Sequence, residues 1–411
     1  MQIRFSAQGI VLGSMLTLLV LIGIYHQNIQ RLSAAITLYD ADKIAHNFLS
    51  MYKAFSAKRI EASAKPYYFA VNYQDLPETF EFQGQTILVS DFIAASYTHG
   101  LMVVKAGEIV TEQYYLEDKA DKQHISFSVA KSFVSALFGI AIKEGYISSI
   151  EQQVTDYVPE LMGSGYQGVR IKDVLQMSSG VKFNEDYGDF FSDINRFSRA
   201  IAFGTSLDDF CVSLSREREP GTYHHYVSID TQVLGMILTR ATGTSLSDYL
   251  EQKIWQPMGM QDAAYWLSDD QGMELALGGL NITLRDYAKF GWMYLHQGRW
   301  LNARGESMQI VPQQWVLDSI KPDAPHLQAG ENNPASSSTD GYGYQWWIPA
   351  GANDEFMARG IYGQYIYIDP DQDLVIVKNS ANPEYTDKSL NWGGKHLALF
   401  RAISEHFKND Q

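Results

Sequence analysis

The chain has 411 residues, 45% of them hydrophobic, and a formal net charge of −15. This apolar content can fill a large core, which excludes a disordered chain, and the length fits one large domain or two ordinary ones. The acidic balance argues against a nucleic-acid partner, because phosphate binding requires a concentrated basic face.

The first predicted element is an uncharged apolar run, residues 9–25, which follows a short tail of residues 1–8. At a helical rise the run is about the minimum length for crossing the hydrocarbon layer. An uncleaved anchor is favoured over a signal peptide because bulky residues follow the run, although Ser33-Ala34-Ala35 is a permissible cleavage site downstream. A core helix is the remaining alternative. We therefore expect a single-pass protein of the inner (cytoplasmic) membrane, with its main domain on the periplasmic side.

Residues 26–85 are predicted to be a linker and packing extension. After them, the sequence predicts two β-hairpins, one on each side of a long middle region. The first hairpin joins residues 101–105 to 109–115 and the second joins 365–369 to 374–378. Hydrophobic periodicity predicts helices over residues 129–144, 171–176, 231–241, 246–254, 283–296 and 395–407. This order predicts an α/β (α+β) fold, in which helices flank an antiparallel sheet built from both chain ends and a mostly helical region is inserted between them. Residues 86–411 form the predicted main domain.

A serine and a lysine three residues apart open the most apolar predicted helix. Ser128-Val-Ala-Lys131 precedes an almost entirely apolar stretch, whereas a second match, Ser50-Met-Tyr-Lys53, lacks that context. Residues three apart share a helix face, so the Lys131 amine can lie beside the Ser128 hydroxyl. Burial lowers the pKa of a lysine and makes it a usable base near neutral pH. The alternative is an ordinary N-cap serine and a lysine that extends to solvent.

A polar and aromatic loop follows the turn Pro220-Gly221 and precedes the helix predicted over residues 231–241. It contains Tyr226-Val227-Ser228, and a tyrosine in such a loop can present its hydroxyl to a cleft. A tyrosine at the edge of the core is the alternative. The ten histidines and the single cysteine, Cys211, show no repeated metal-ligand spacing, so we expect no metal site.

These motifs resemble the serine hydrolases related to class C β-lactamases, D-alanyl-D-alanine peptidases and carboxylesterases. Ser128-Val-Ala-Lys131 matches the first motif of the family, and Tyr226-Val227-Ser228 stands where the family carries Tyr-x-Asn. The likeness covers roughly residues 85–411 and is closest to the branch of the 6-aminohexanoate-dimer hydrolases. The supporting stretches are Val174–Gly180, Asn184–Tyr187, Gly278–Asn281, Gly341–Trp347 and Gly363–Tyr365.

The resemblance implies a β-lactamase/transpeptidase-like fold and an acyl-enzyme mechanism without a cofactor. Ser128 would be the nucleophile, Lys131 its base, and Tyr226 the proton donor to the leaving group. The backbone amides of Ser128 and Ile361 would stabilise the oxyanion. Tyr187 would contact the substrate amide.

The chain departs from the family at two substrate-binding positions. Ala358-Arg359-Gly360 replaces the third motif, commonly Lys-Thr-Gly or His-x-Gly, and it is open whether Arg359 supplies the missing cation. Ser228 replaces an asparagine that contacts acyl side chains in β-lactamases.

These departures favour an amidase or esterase acting on a small molecule. A D-alanyl-D-alanine peptidase or β-lactamase acting on cell-wall-like substrates is the first alternative. A non-catalytic binding protein on the same fold is the second.

Overall fold

A computed structural model describes Met15 and residues 30–301, 305–351 and 353–408 of the chain. Three segments contribute strands: the N-terminal part, the middle and the C-terminal part. The strands are β1 (Ala57–Ile60), β2 (Ala70–Val71), β3 (Thr79–Phe82), β4 (Gln85–Leu88), β5 (Thr98–Lys105), β6 (Glu108–Tyr114), β7 (His124–Ile125), β8 (Ala264–Leu267), β9 (Leu280–Ile282), β10 (Arg299–Leu301), β11 (Ser307–Gln309), β12 (Gly341–Tyr342), β13 (Trp347–Ile348), β14 (Phe356–Gly360), β15 (Gln364–Asp369) and β16 (Leu374–Ser380).

Within the described ranges, the main sheet has eight strands in the order β12-β13-β14-β15-β16-β5-β6-β2. Both predicted hairpins are present, and β16 of the second pairs antiparallel with β5 of the first, from Leu374 opposite Lys105 to Ser380 opposite Thr98. Only the short β2 pairs in parallel among the described strands of this sheet. The sheet is thus built from both chain ends, as the sequence predicts.

Helices cover both faces of this sheet. The longer helices are Val89–Ala95, Ala130–Lys143, Asp193–Phe203, Ser228–Thr242, Leu284–Leu295, Gln313–Ser319 and Trp392–Lys408, and the shorter ones are Ile44–Phe48, Met51–Ala54, Ile171–Leu175, Leu207–Val212, Leu246–Leu250 and Gln256–Met258. Alternate residues along each strand point to opposite faces. One face of β15, with Ile366 and Ile368, belongs to the core that holds Ala130–Lys143, while Tyr365 and Tyr367 pack with Trp392–Lys408 on the other face. The predicted β-lactamase/transpeptidase-like α/β fold class is confirmed.

A second, four-stranded sheet of order β1-β8-β9-β7 lies beside the start of helix Ala130–Lys143. Its strand β1 comes from the stretch predicted as a linker and pairs along its whole length with β8. The edge strand β7 leads directly into the turn that carries Ser128. This sheet therefore positions the start of the central helix.

The predicted inner-membrane location is contradicted. Throughout the described ranges, no helix has both the length and the apolar character needed to cross a bilayer. Even the 17-residue helix Trp392–Lys408 carries Lys395 and Arg401. The run 9–25, on which the prediction depended, lies outside the described residues apart from Met15. The predicted membrane contact through residues 9–25 likewise has no support in the described residues.

Candidate active site

Ser128 lies in a tight 3-10 turn, Phe127–Val129, that leads into the buried helix Ala130–Lys143. Phe127 has a φ of 43°, a left-handed conformation that few residues with a side chain adopt. The Ser126 amide donates a hydrogen bond of 2.7 Å to the Leu280 carbonyl and fixes the turn to β9. A strained, well-anchored turn thus holds Ser128 at the front of the helix.

Lys131 is completely buried behind this serine. Its Nζ lies 2.9 Å from Ser128 Oγ and donates a 2.6 Å hydrogen bond to the Leu277 carbonyl. Burial lowers the Lys131 pKa from 10.5 to about 7, against the opposing effect of the Glu185 carboxylate. A substantial fraction of the Lys131 amines is therefore neutral near pH 7 and able to accept a proton.

The second Ser-x-x-Lys match has none of these properties. Ser50 Oγ donates to the His46 carbonyl at 2.9 Å, and Lys53 is exposed, with its Nζ 5.4 Å from the centre of the Tyr52 ring. Burial of the lysine therefore distinguishes the two motifs.

Tyr226 lies next to the Ser128 and Lys131 pair. Its ring centre is 5.4 Å from Lys131 Nζ, and the ring stacks on Trp347 at 5.1 Å. Burial raises the pKa of the Tyr226 phenol, and Glu185 adds to the rise, while hydrogen bonding from the Ser128 and Ser228 hydroxyls acts in the opposite sense. The phenol is consequently protonated at neutral pH and close to the serine. The structure thus brings together the three residues that the sequence predicts as catalytic.

Glu185 is a site residue to which sequence reasoning gave no role. Its carboxylate accepts hydrogen bonds from the Ser228 amide at 3.0 Å, from the Ser228 hydroxyl and from the Tyr187 phenol at 2.9 Å. It lies at the N-terminus of helix Ser228–Thr242, where a negative charge is favourable. Ser228 and Tyr187, both predicted to bind substrate, are thus held by one carboxylate. The only sequence signal was its position in the stretch Asn184–Tyr187.

Arg359, on β14, does not present a free cation to the site. Its Nη2 forms a 2.7 Å ion pair with Asp340, and its guanidinium lies 4.3 Å from the centre of the Trp347 ring. The charge that the sequence proposed as a substitute for the third-motif cation is therefore already neutralised. Trp347 contacts both Arg359 and Tyr226, so these side chains form one wall of the site.

Gly360, the last residue of β14, brings the candidate oxyanion amides together. A Cβ at this position would lie 2.6 Å from the Ser126 carbonyl oxygen, so only glycine permits this approach of the strand to the serine turn. The next residue, Ile361, lines the same cavity as Ser128. Ser128 and Ile361, the two residues predicted to supply the oxyanion amides, thus lie on neighbouring segments that line one cavity.

Gln345, in the stretch Gly341–Trp347, connects the segments that carry the site. Its side-chain oxygen accepts from Thr231 Oγ1 at 2.6 Å, its Nε2 donates to the Leu175 carbonyl at 2.8 Å, and its own carbonyl accepts from Ser132 Oγ at 2.8 Å. One buried residue therefore fixes the helix behind Ser128 relative to the helix behind Tyr226.

Comparison with known proteins agrees with this geometry. Residues 91–398 match the β-lactamase family. The chain is 30% identical over 314 residues to the 6-aminohexanoate-dimer hydrolase of Paenarthrobacter ureafaciens, which covers 75% of this chain and 78% of that one. It is also 30% identical over 193 residues to penicillin-binding protein 4* of Bacillus subtilis (strain 168), covering 46% of this chain and 39% of that protein.

A solved structure shares the fold over nearly the whole chain. This is a putative 6-aminohexanoate-dimer hydrolase from Bacillus anthracis, with a TM-score of 0.79 and 23% identity over 90% of this chain and 96% of that one. The chain therefore belongs to the β-lactamase family and is a serine hydrolase related to the 6-aminohexanoate-dimer hydrolases and the D-alanyl-D-alanine peptidases.

Proposed function

We propose that the chain cleaves a small amide or ester through an acyl-enzyme on Ser128, and that residues 86–411 form the hydrolase domain. The observation that carries the proposal is the fully buried Lys131 amine 2.9 Å from the Ser128 hydroxyl, with its pKa lowered to about 7. Such a pair is a nucleophile next to a base that is matched to neutral pH.

In the first half of the reaction, neutral Lys131 takes the Ser128 proton as Oγ attacks the substrate carbonyl carbon. The carbonyl oxygen becomes an oxyanion, held by the backbone amides of Ser128 and Ile361. Each such donor contributes about 3 kcal/mol to transition-state stabilisation. When the intermediate collapses, the leaving group takes the phenol proton of Tyr226, and the Lys131 ammonium restores that proton.

In the second half, water attacks the acyl-enzyme carbonyl and gives up a proton to the same pair of side chains. The same pair then passes that proton to Ser128 Oγ as its ester bond breaks, so the carboxylic acid leaves and the serine hydroxyl is regenerated. The substrate-binding roles of Tyr187, Ser228 and Gly360 belong to the same proposal, as does a contact of Arg359 that does not depend on a free charge. In this proposal, Tyr187 and Ser228 lie beside the substrate carbonyl and are held in place by their hydrogen bonds to Glu185.

Labelling with a fluorescent fluorophosphonate tests the nucleophile. We expect wild-type protein to be labelled and Ser128→Ala to be unlabelled. Ser50→Ala, which removes the serine of the other Ser-x-x-Lys match, is the matched control and should label like wild type. Labelling that persists in Ser128→Ala would remove Ser128 from the role.

A cell-wall peptidase or β-lactamase is the alternative activity, and the Arg359–Asp340 ion pair argues against it. Penicillins and cell-wall peptides carry a carboxylate that needs a cation in the site. Arg359 is a poor partner for this carboxylate, because it already forms a 2.7 Å ion pair with Asp340. Incubation with a fluorescent penicillin tests this directly. We expect slow or no acylation under conditions in which the fluorophosphonate labels completely. Hydrolysis of p-nitrophenyl acetate that is lost in Ser128→Ala would exclude the non-catalytic alternative.

A further inference from the structure

An apolar cavity of about 630 Å³ lies next to Ser128. Phe127 and Ile361 line it together with the nucleophile. One wall comes from helix Asp193–Phe203, and the other comes from residues 32–55, which precede the part that matches the family. A cavity of this size can take a whole drug-sized ligand.

The mouth of the cavity exposes large apolar side chains. Ile36 is 71% exposed, Phe190 62% and Phe203 56%, and all three line the cavity. Contiguous exposed apolar surface of this kind marks a binding site when it leads into a concave site.

Charged groups are almost absent from the cavity. Among the described residues that line it, the only charged side chain is Arg199. Its guanidinium lies 4.1 Å from the centre of the Phe190 ring, and its Nη1 donates a 2.7 Å hydrogen bond to the Phe190 carbonyl. No carboxylate among these lining residues could pair with an ammonium group, so a chain with a terminal amine would lose its hydration there without compensation.

The position of the cavity relative to Tyr226 decides which part of a substrate enters it. Ser128 and Ile361 line the cavity, whereas Tyr226 and Trp347 are not among its described lining residues. The leaving group must lie beside the Tyr226 phenol to receive its proton. With the carbonyl oxygen at the Ser128 and Ile361 amides, the substituent on the other side of the carbonyl carbon points into the cavity.

We propose that the substrates of this enzyme carry a medium-length or long apolar acyl chain, which this cavity binds. The proposal rests on the function proposed above, because it assigns the acyl side of the Ser128 acyl-enzyme. The proposal distinguishes the acyl specificity of this chain from that of an enzyme that requires an acyl group with a terminal amine.

A series of p-nitrophenyl esters tests the proposal, with acetate, butyrate, hexanoate and octanoate all kept below micelle-forming concentrations. We expect kcat/KM to rise by up to about fourfold for each methylene that the cavity buries, and at least tenfold from acetate to octanoate. p-Nitrophenyl 6-aminohexanoate should react at least tenfold more slowly than the hexanoate.

A cavity-filling variant ties the preference to this site. Ala35 lines the cavity and is only partly buried, so Ala35→Phe should lower the octanoate-to-acetate ratio at least fivefold. Ser33, two residues earlier, is exposed and lies outside the described lining, so Ser33→Phe is the matched control and should keep the wild-type ratio. Circular dichroism and the melting temperature establish that both variants fold.

The outcomes separate the two proposals. Hydrolysis of acetate with no rise along the series, or a rise that Ala35→Phe leaves intact, overturns the acyl-chain assignment alone. A faster reaction with the 6-aminohexanoate ester than with the hexanoate also overturns it. Failure of every ester together with absent fluorophosphonate labelling overturns the hydrolase proposal, and the acyl-chain assignment with it.

Discussion

Acidification below pH 7 should inactivate the enzyme by protonating Lys131. A lysine with the usual pKa of 10.5 is neutral in about one molecule in three thousand at pH 7, whereas a pKa of about 7 leaves half of the molecules neutral. Burial in the protein therefore raises the fraction of usable base more than a thousandfold. Because the base must be neutral, activity should rise with pH, reach half of its maximum near pH 7 and level off above pH 8.

The assay is kcat/KM for a p-nitrophenyl ester between pH 5 and pH 9, because this quantity reports the pKa values of the free enzyme. Absorbance is read at the isosbestic wavelength of the nitrophenol and its anion, and the rate in Ser128→Ala is subtracted. At pH 5 we expect about one hundredth of the plateau value. Circular dichroism across the same range shows whether the fold is retained.

Two results would refute this reasoning. A half-maximal point below pH 5, with the fold intact, would mean that a carboxylate rather than Lys131 is the base. A Lys131→Met variant that keeps more than a tenth of the wild-type activity and its pH dependence would exclude the lysine directly. The kcat/KM of that variant should fall at least a thousandfold, because the base is gone. The variant should still fold, because methionine replaces a buried amine with an apolar side chain of similar volume.

The remaining predictions concern the groups around this pair. Tyr226→Phe should lower kcat/KM about 10²- to 10⁴-fold for an alkyl ester or amide. The loss should be much smaller for a p-nitrophenyl ester, because its leaving group departs without a proton. An equal loss for both substrates would show that the phenol does not transfer the proton. Glu185→Gln should move the acidic limb of the pH profile below pH 7, because the Glu185 carboxylate raises the Lys131 pKa, and an upward movement would contradict this. Gly360→Ala should lower the free energy of unfolding by about 1–3 kcal/mol and remove nearly all activity, since its Cβ would lie 2.6 Å from the Ser126 carbonyl oxygen. If urea titration gave the variant the stability of the wild type, this close contact would be disproved.

Much of the scaffold could be predicted because its signals are local. The two hairpins and the long helices carry clear periodicity, and the predicted helix over residues 129–144 corresponds to the observed Ala130–Lys143. The nearness of Ser128 and Lys131 also follows from spacing along one helix. The membrane location was predicted from the apolar run alone, and the described helices contradict it.

The surroundings of the candidate site were not predictable, because they depend on contacts between distant segments. Glu185 acts through Ser228, 43 residues away, and Arg359 is neutralised by Asp340 across the edge of the sheet. The cavity is lined by residues from 32–55, 187–203 and 267–278 together with the turn at Ser128 and Ile361. Nothing in any one of these stretches indicates its partner.

The pairing of β5 with β16 has a consequence for biosynthesis. Residue 105 leaves the ribosome 269 residues before residue 374, which pairs with it (374 − 105 = 269). At usual translation rates this interval is about 15 to 50 seconds, during which the hairpin of β5 and β6 presents an unpaired, largely apolar edge. An apolar edge left unpaired for this interval favours aggregation, and truncation before residue 374 would leave it without its β16 partner.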